Sequence, residues 1–458
     1  MRTFNAKPWP SHKAAPFAAL PDSALSHFSR AISIPTVSPQ DPSRIDTGSF
    51  LRYRSFVESA YPLIHQRLSR EIVTNFSYIY TWKGTDPSLP PLILMAHYDV
   101  VPVEISTEKL WTAAPFGGNI KGDTIWGRGS VDDKCSMVAI MEAVEALLRQ
   151  NYTPRRSVML CFGHNEESTG EGAIAIARLL QQRGIRAEMV VDEGGEITRE
   201  KIPGLSRPVG LIGIGEKGYA TFELLAEKTG GHSSRPDKET AIDILTRGLY
   251  KLHQEKTPRR ILDPTREFLK RISGSSGNFL NKLALNNLWL FEGYVLYKMG
   301  EDKDGRAMTG TTIAPTILES GIRENVIPTQ ARAIVNTRIL PGESVKEIEA
   351  FIRKGVDDDR IKVRLTGDFA TEPSSMTDFH SDAFRKVADA AMAVSDDLIP
   401  APYIMLGATD SRNFRAISNG VVNFCPTTDG KGYHGIDERV PVKDFQRAIQ
   451  FYTLLING

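Results

Sequence analysis

The chain has 458 residues, more than one ordinary hydrophobic core organises, so two domains are expected. Apolar residues make up 41% and charged residues 24% with a formal net charge of +1, the balance of a folded chain in water without a basic field for nucleic acid or an anionic membrane surface. Cys135, Cys161 and Cys425 are too scattered for a disulfide framework or a cysteine zinc site; with no apolar run of about 20 residues and no signal-like N-terminal stretch, a cytoplasmic location is expected, unless a leader was removed.

Residues 1–20 read as an irregular arm, followed by helical stretches near 23–32 and 48–70. PLILMAHYDV (91–100) is a short apolar run, the pattern of a buried strand, and CSMVAIMEAVEALLRQ (135–150) has helical spacing. SVMLCFGH (157–164), AEMVVDEGG (187–195) and VGLIGIG (209–215) are further buried strands, with the helical AIAIARLLQQRG (173–184) among them. Such alternation predicts an α/β fold with a parallel-rich sheet covered by helices on both faces. After Gly218 the pattern changes: ATFELLAEK (220–228) alternates, a helix is expected over 240–254, and 255–310 is rich in helix and loop. Strands near 311–319 and 331–340 and a helix near 344–354 complete what reads as an α+β unit inserted into the first. The expected division is therefore one domain in two parts, 1–213 and 371–458, and an inserted α+β domain, 214–370, with a helical insert at 255–310. Strand–helix style returns after 400, ending in the amphipathic VKDFQRAIQFYTLL.

The chemistry-bearing residues fall at strand ends, where sites of open α/β sheets assemble. His97 and Asp99 close one strand, and WGRGSVDDK brings Asp132 and Asp133 to the start of a helix. Asn165, Glu166 and Glu167 follow SVMLCFGH, Asp192 and Glu193 follow AEMVV, and His434 lies in GYHGIDE. Paired acids are common on solvated faces, but so many strand ends each delivering a ligand type is not a surface pattern. Imidazoles mixed with carboxylates suit zinc, with cobalt or manganese as substitutes.

At these motifs the sequence resembles the two-zinc amidohydrolases that include aminoacylase, glutamate carboxypeptidase and carboxypeptidase S. HYDVVP, WGRGSVDDK, NEESTGEGA, VVDEGG, GGHSSRP, ENVIPTQARAIVNTRILPGES, GATDSRNF and YHGIDERVPV follow in family order over roughly residues 20–455. NNLWLFEGYV and GTTIAPTILESGIRENVIP look closest to the carboxypeptidase S branch, which includes N-acyl-amino-acid hydrolases. The resemblance implies two zinc ions per chain. It assigns His97 and Asp192 to the first metal, with Glu193 filling that place in some relatives, Asp132 to both, and Glu167 and His434 to the second. It makes Glu166 the general base and Asp99 the group that orients His97. Asn165 departs from the family, which usually carries Asp there.

The resemblance also implies that His232 in GGHSS stabilises an oxyanion, in some relatives from the partner subunit, and that Asn325 and Arg338 hold a substrate carboxylate. The expected activity is hydrolysis of an amide beside a free carboxylate, in a peptide or an N-acyl amino acid, by a monomer or homodimer. A dipeptidase or aminoacylase of other specificity is the alternative, and an inactive ligand-binding relative a third. The aromatic and aliphatic residues of NNLWLFEGYV favour an apolar side chain or acyl group. GIGEKG (213–218) imitates a dinucleotide loop, but a strand-like segment follows it, so a domain hinge is expected there.

Overall fold

The run Leu92–His97 is buried at every position, and its alternate residues serve two different cores. Leu92, Leu94 and Ala96 face one cluster with the helices Lys134–Arg149 and Val442–Asn457, while Ile93 and Met95 face another with the helix Glu171–Gln182. That two-residue alternation between covered faces explains why the strand shows no polar side. The helix Lys134–Arg149 has fourteen buried residues among its sixteen, as expected of a helix apolar nearly all round. The computed structural model describes residues 7–16, 20–202 and 204–458.

The larger sheet runs in the order Ser69–Val73, Ser77–Trp82, Val158–Gly163, Leu92–His97, Met189–Asp192, Val421–Asn423, Val209–Glu216, Ile399–Met405, with Glu196–Thr198 paired alongside Val209–Glu216. The four strands from Val158–Gly163 to Val421–Asn423 are parallel, so their carboxyl ends open on one edge. The flanking strands reverse direction: Ser77–Trp82 pairs antiparallel with Val158–Gly163, and Val209–Glu216 pairs antiparallel with Val421–Asn423.

A second, antiparallel sheet has the order Thr312–Ser320, Gln330–Ile339, Gly218–Glu227, Ile361–Thr371. Ala220, Phe222, Leu224 and Ala226 turn one face onto the helices Ala241–Gln254 and Val345–Val356, forming a core of its own. Each helix opens with a capping box, Thr240 with Asp243 and Ser344 with Glu347, which ties down otherwise unpaired N-terminal amides. GIGEKG spans the passage between the sheets: Val209–Glu216 ends in one, Gly218–Glu227 begins in the other, and Lys217 stands between.

Two features differ from the sequence reading. The expected helix over 48–70 divides at Tyr61 into Thr47–Ala60 and Pro62–Arg67, with Pro62 at the first position of the second, and gives way to the strand Ser69–Val73. Thr74 and Asn75, at φ 50° and 68°, then turn the chain into Ser77–Trp82. The helices between Asp263 and Thr309 do not join the core of the second sheet. Ile261, Phe268, Leu269 and Ile272 pack instead against Val209, Ile399 and Ala401 of the larger sheet. Among the described residues no helix is long and apolar enough to cross a membrane.

Candidate metal centre

His97 ends its strand with only 2% of its surface exposed. Its Nδ1 lies 3.1 Å from the Asp99 carbonyl oxygen and 3.3 Å from Asp99 Oδ1. An N–H held there leaves the lone pair on Nε2, which lies 3.0 Å from Asp132 Oδ1 and 3.3 Å from Glu193 Oε1. The other oxygen of Asp132 is 3.1 Å from Nε2 of His434, and the same nitrogen is 3.1 Å from Glu167 Oε1. Two donor groups result, His97–Asp132–Glu193 and Asp132–Glu167–His434, each with its ligand atoms within 4.8 Å of one another. Asp132 belongs to both.

Asp99 organises two of the contributing strand ends. Fully buried, it accepts the Glu166 amide at 3.2 Å through one oxygen, and through the other the Glu167 amide at 3.1 Å and the Ser38 hydroxyl. Burial opposes its ionisation, but the His97, Ser38 and Glu167 bonds outweigh burial and hold its carboxyl below the usual range. Asn165, where relatives usually carry Asp, uses both halves of its amide: the nitrogen donates to Thr169 Oγ1 and the oxygen accepts from the Gly172 amide.

The other carboxyls are crowded. Burial, and then the charge of Asp132, push Glu193 up to about 8. Burial also pushes Glu166 well above the carboxylate range; His97 opposes this, while Asp410, Glu193 and Glu167 add to it. His434 is raised to about 10 by its bonds to Asp132 and Glu167. Buried carboxylates that repel one another around two imidazoles form a donor set short of positive charge, and its oxygen and nitrogen types are those of zinc-like divalent ions.

The sequence reading put Asp192 with His97 and kept Glu193 as the other choice. The structure turns Glu193 toward His97; the Asp192 carboxylate accepts the Ser411 amide at 2.9 Å. Asp192 is the last residue of its strand, and consecutive side chains there leave on opposite sides. His232 is exposed, in a short ribbon that pairs Gly231–His232 with Val326–Ile327, and its Nδ1 lies 2.8 Å from Ser234 Oγ. Asn325 directly precedes the other strand of that ribbon, its carbonyl accepting the Ser233 amide. Arg338 lies half-buried in the second sheet with its guanidinium 4.8 Å over the Tyr219 ring. None of these three belongs to either donor group. Sequence reasoning singled out neither Asp410 nor Ser411. The available signal was the block GATDSRNF, which contains both residues; in the structure Asp410 approaches the strand end so closely that a Cβ on Gly163 would stand 2.7 Å from its carboxylate oxygen.

One aspartate serving two imidazole–carboxylate groups beside the carboxyl edge of parallel strands is a donor arrangement that suits divalent metal ions. The chain belongs to peptidase family M20/M25/M40, whose description matches residues 93–458. It is 35% identical over 452 residues to probable carboxypeptidase S-like 2 of Dictyostelium discoideum, covering 96% of this chain and 86% of that one. It is 36% identical over 429 residues to the N-fatty-acyl-amino acid synthase/hydrolase PM20D1 of Mus musculus, covering 92% and 84%. The fold is similar to that of an M20 family metallo-carboxypeptidase from Sulfolobus solfataricus, with a TM-score of 0.70 at 18% identity over 95% of this chain and 98% of that one. Hydrolysis of an amide bond with the help of metal ions is the activity of this chain.

Proposed function

We propose that the substrate is an N-acyl amino acid or a peptide cut at its C-terminal bond, so that the amide lies beside a free carboxylate, and that two divalent ions, zinc or in its place cobalt or manganese, assist. The observation that carries this reading is the sharing of Asp132 between two donor groups. His97, Asp132 and Glu193 would hold one ion, and Asp132, Glu167 and His434 the other. Bound there, a pair of divalent ions polarises a scissile carbonyl and acidifies the attacking water. Glu166 takes the proton and delivers it to the leaving nitrogen. Its place beside Glu167 supports this: both amides are pinned on Asp99, yet only the Glu167 carboxylate joins a donor group.

We read residues 214–370 as the lid, bringing His232 to the developing oxyanion and Asn325 and Arg338 to the substrate carboxylate. Arg338 supports the last role, since among the described residues it forms no ion pair and its charge is available. The names of the relatives, carboxypeptidase S-like and N-fatty-acyl-amino acid hydrolase, support an apolar acyl group or side chain. NNLWLFEGYV adds less, because Trp289, Leu290 and Tyr294 are exposed and belong to neither donor group. Three free, buried cysteines support a reducing compartment such as the cytoplasm.

The test compares an N-acyl-leucine with its carboxamide, in wild type and Arg338→Ala, with zinc, cobalt and manganese each supplied in turn. An unpaired charge in a partly closed site costs about 2–5 kcal/mol. Wild type therefore prefers the free acid by roughly 30-fold to several thousand-fold, and Arg338→Ala loses most of that preference. Equal cleavage of acid and carboxamide by wild type would sink the carboxylate anchor.

A further inference from the structure

Glu438 and Arg128 are outside both donor groups, yet they join the two segments that supply the shared aspartate and the exposed histidine. Glu438 is fully buried and Arg128 is 3% exposed. One Glu438 oxygen accepts the Val131 amide at 2.9 Å and the Asp132 amide at 3.2 Å. The other accepts Arg128 Nη1 at 2.6 Å. Arg128 Nη2 donates to the Gly435 carbonyl at 2.9 Å, next to His434, and the Gly127 amide donates to the Glu438 carbonyl at 2.9 Å. The Arg128 guanidinium is stacked 5.4 Å over the Trp111 ring. Segments 127–132 and 435–438 are thus laced together across about 300 residues of chain.

We propose that Arg128 and Glu438 are positioning residues that set the distance between Asp132 and His434, and so decide whether the second ion is held. The proposal rests on the reading that the two donor groups hold ions. The groups depend on this clamp unequally. His97 sits on a buried strand and is oriented by Asp99, and the Glu167 amide is fixed by Asp99 as well. His434 is in a loop at φ 54°, with 57% of its side chain exposed. Asp132 serves both groups, but cutting Arg128 from Glu438 can leave the other Glu438 oxygen on the Val131 and Asp132 amides, so the His434 loop drifts while Asp132 and the His97 end stay in place. Groups one step behind metal ligands typically change affinity by about 10–100-fold when removed.

The experiment titrates metal-free protein with cobalt and follows visible absorption and bound metal. Wild type is expected to take up two ions. Glu438→Gln is expected to take up the first with near wild-type affinity and the second about 10–100-fold more weakly. Removing one member of a buried pair also threatens the fold, so a second variant, Arg128→Met/Glu438→Gln, replaces the pair with uncharged side chains. It keeps an oxygen for the Val131 and Asp132 amides and leaves no unpaired charge. It is expected to match or exceed Glu438→Gln in resistance to urea while still binding the second ion weakly. Retention of both affinities in both variants overturns the proposal, as does equal weakening of both ions in step with lost stability. Uptake of fewer than two ions by wild type overturns the reading of the donor groups, and this proposal with it.

Discussion

Replacing Asp99 with Asn changes one atom type at the point where two strand ends meet. The carboxylate receives the Glu166 amide on one oxygen, and the Glu167 amide and Ser38 hydroxyl on the other. An asparagine has one oxygen to offer. Whichever way its amide turns, its NH2 group faces a backbone N–H, and one of those bonds is lost with no water to replace it. A bond to a charged acceptor contributes about 1.5–3 kcal/mol, and the surviving bonds lose their charge assistance. The expected loss of stability is therefore about 2–4 kcal/mol by urea unfolding. Both Glu167 and His97 are displaced, so turnover should fall by about 10–100-fold and metal affinity with it. Urea unfolding, steady-state kinetics and metal content on the same preparations provide the assay. Unchanged metal affinity and turnover with lowered stability would show that Asp99 only supports the fold.

Glu166→Gln should lower turnover on an N-acyl amino acid by about 10²–10⁴-fold, the usual contribution of a general base, while metal content stays at the wild-type level; metal lost together with activity would mark Glu166 as a ligand. Glu193→Gln should weaken metal binding at the His97 end, whereas Asp192→Asn should not, because an asparagine oxygen can still accept the Ser411 amide; the reverse pattern in metal content would restore Asp192 to the ligand set. Burial raises the Glu216 carboxyl to about 7, against the opposing charges of Arg412 and Arg415. A carboxyl raised above its unfolded value of about 4.3 favours the native state least when ionised, so its cost grows as pH rises from about 4 to 7 and is constant above. Glu216→Gln should therefore gain stability over wild type at pH 8 but not at pH 5, read by urea unfolding; a difference independent of pH would refute the sign.

Sequence pattern alone located the site where the backbone dictates it. Buried parallel strands read as short apolar runs, and polar residues at or just past their ends mark the edge where the donor groups gather: His97 after LILMA, and Glu167 a few residues beyond MLCFG. What escaped was set by packing between distant segments. The hairpin Ser69–Trp82 depends on a turn at Thr74 and Asn75 that carries no glycine. The helices between Asp263 and Thr309 carry apolar residues whose partners sequence spacing does not name; in the structure they meet Val209, Ile399 and Ala401 of the larger sheet. The choice between Asp192 and Glu193 turns on which carboxylate Ser411 claims, some 219 residues away.

The two sheets divide the chemistry in a way that bears on how the reaction is timed. Every member of the two donor groups follows the parallel strands or their connecting loops, so the metal centre belongs to the larger sheet alone. His232, Asn325 and Arg338 all come from the segment between Gly218 and Ile339, on the second sheet and its ribbon. If these residues act as proposed, a substrate that met only the first set would be polarised without being anchored by its carboxylate, and one that met only the second would be anchored without reacting. The chain first passes from the larger sheet to the second at Lys217, whose ammonium is buried against the carbonyls of Ala307 and Gly310. Those carbonyls lie at the end of the helical segment that packs on the larger sheet, directly before the strand Thr312–Ser320 of the second. The first crossing between the sheets is therefore bonded to a later one, tying the start of Gly218–Glu227 to the segment that enters Thr312–Ser320.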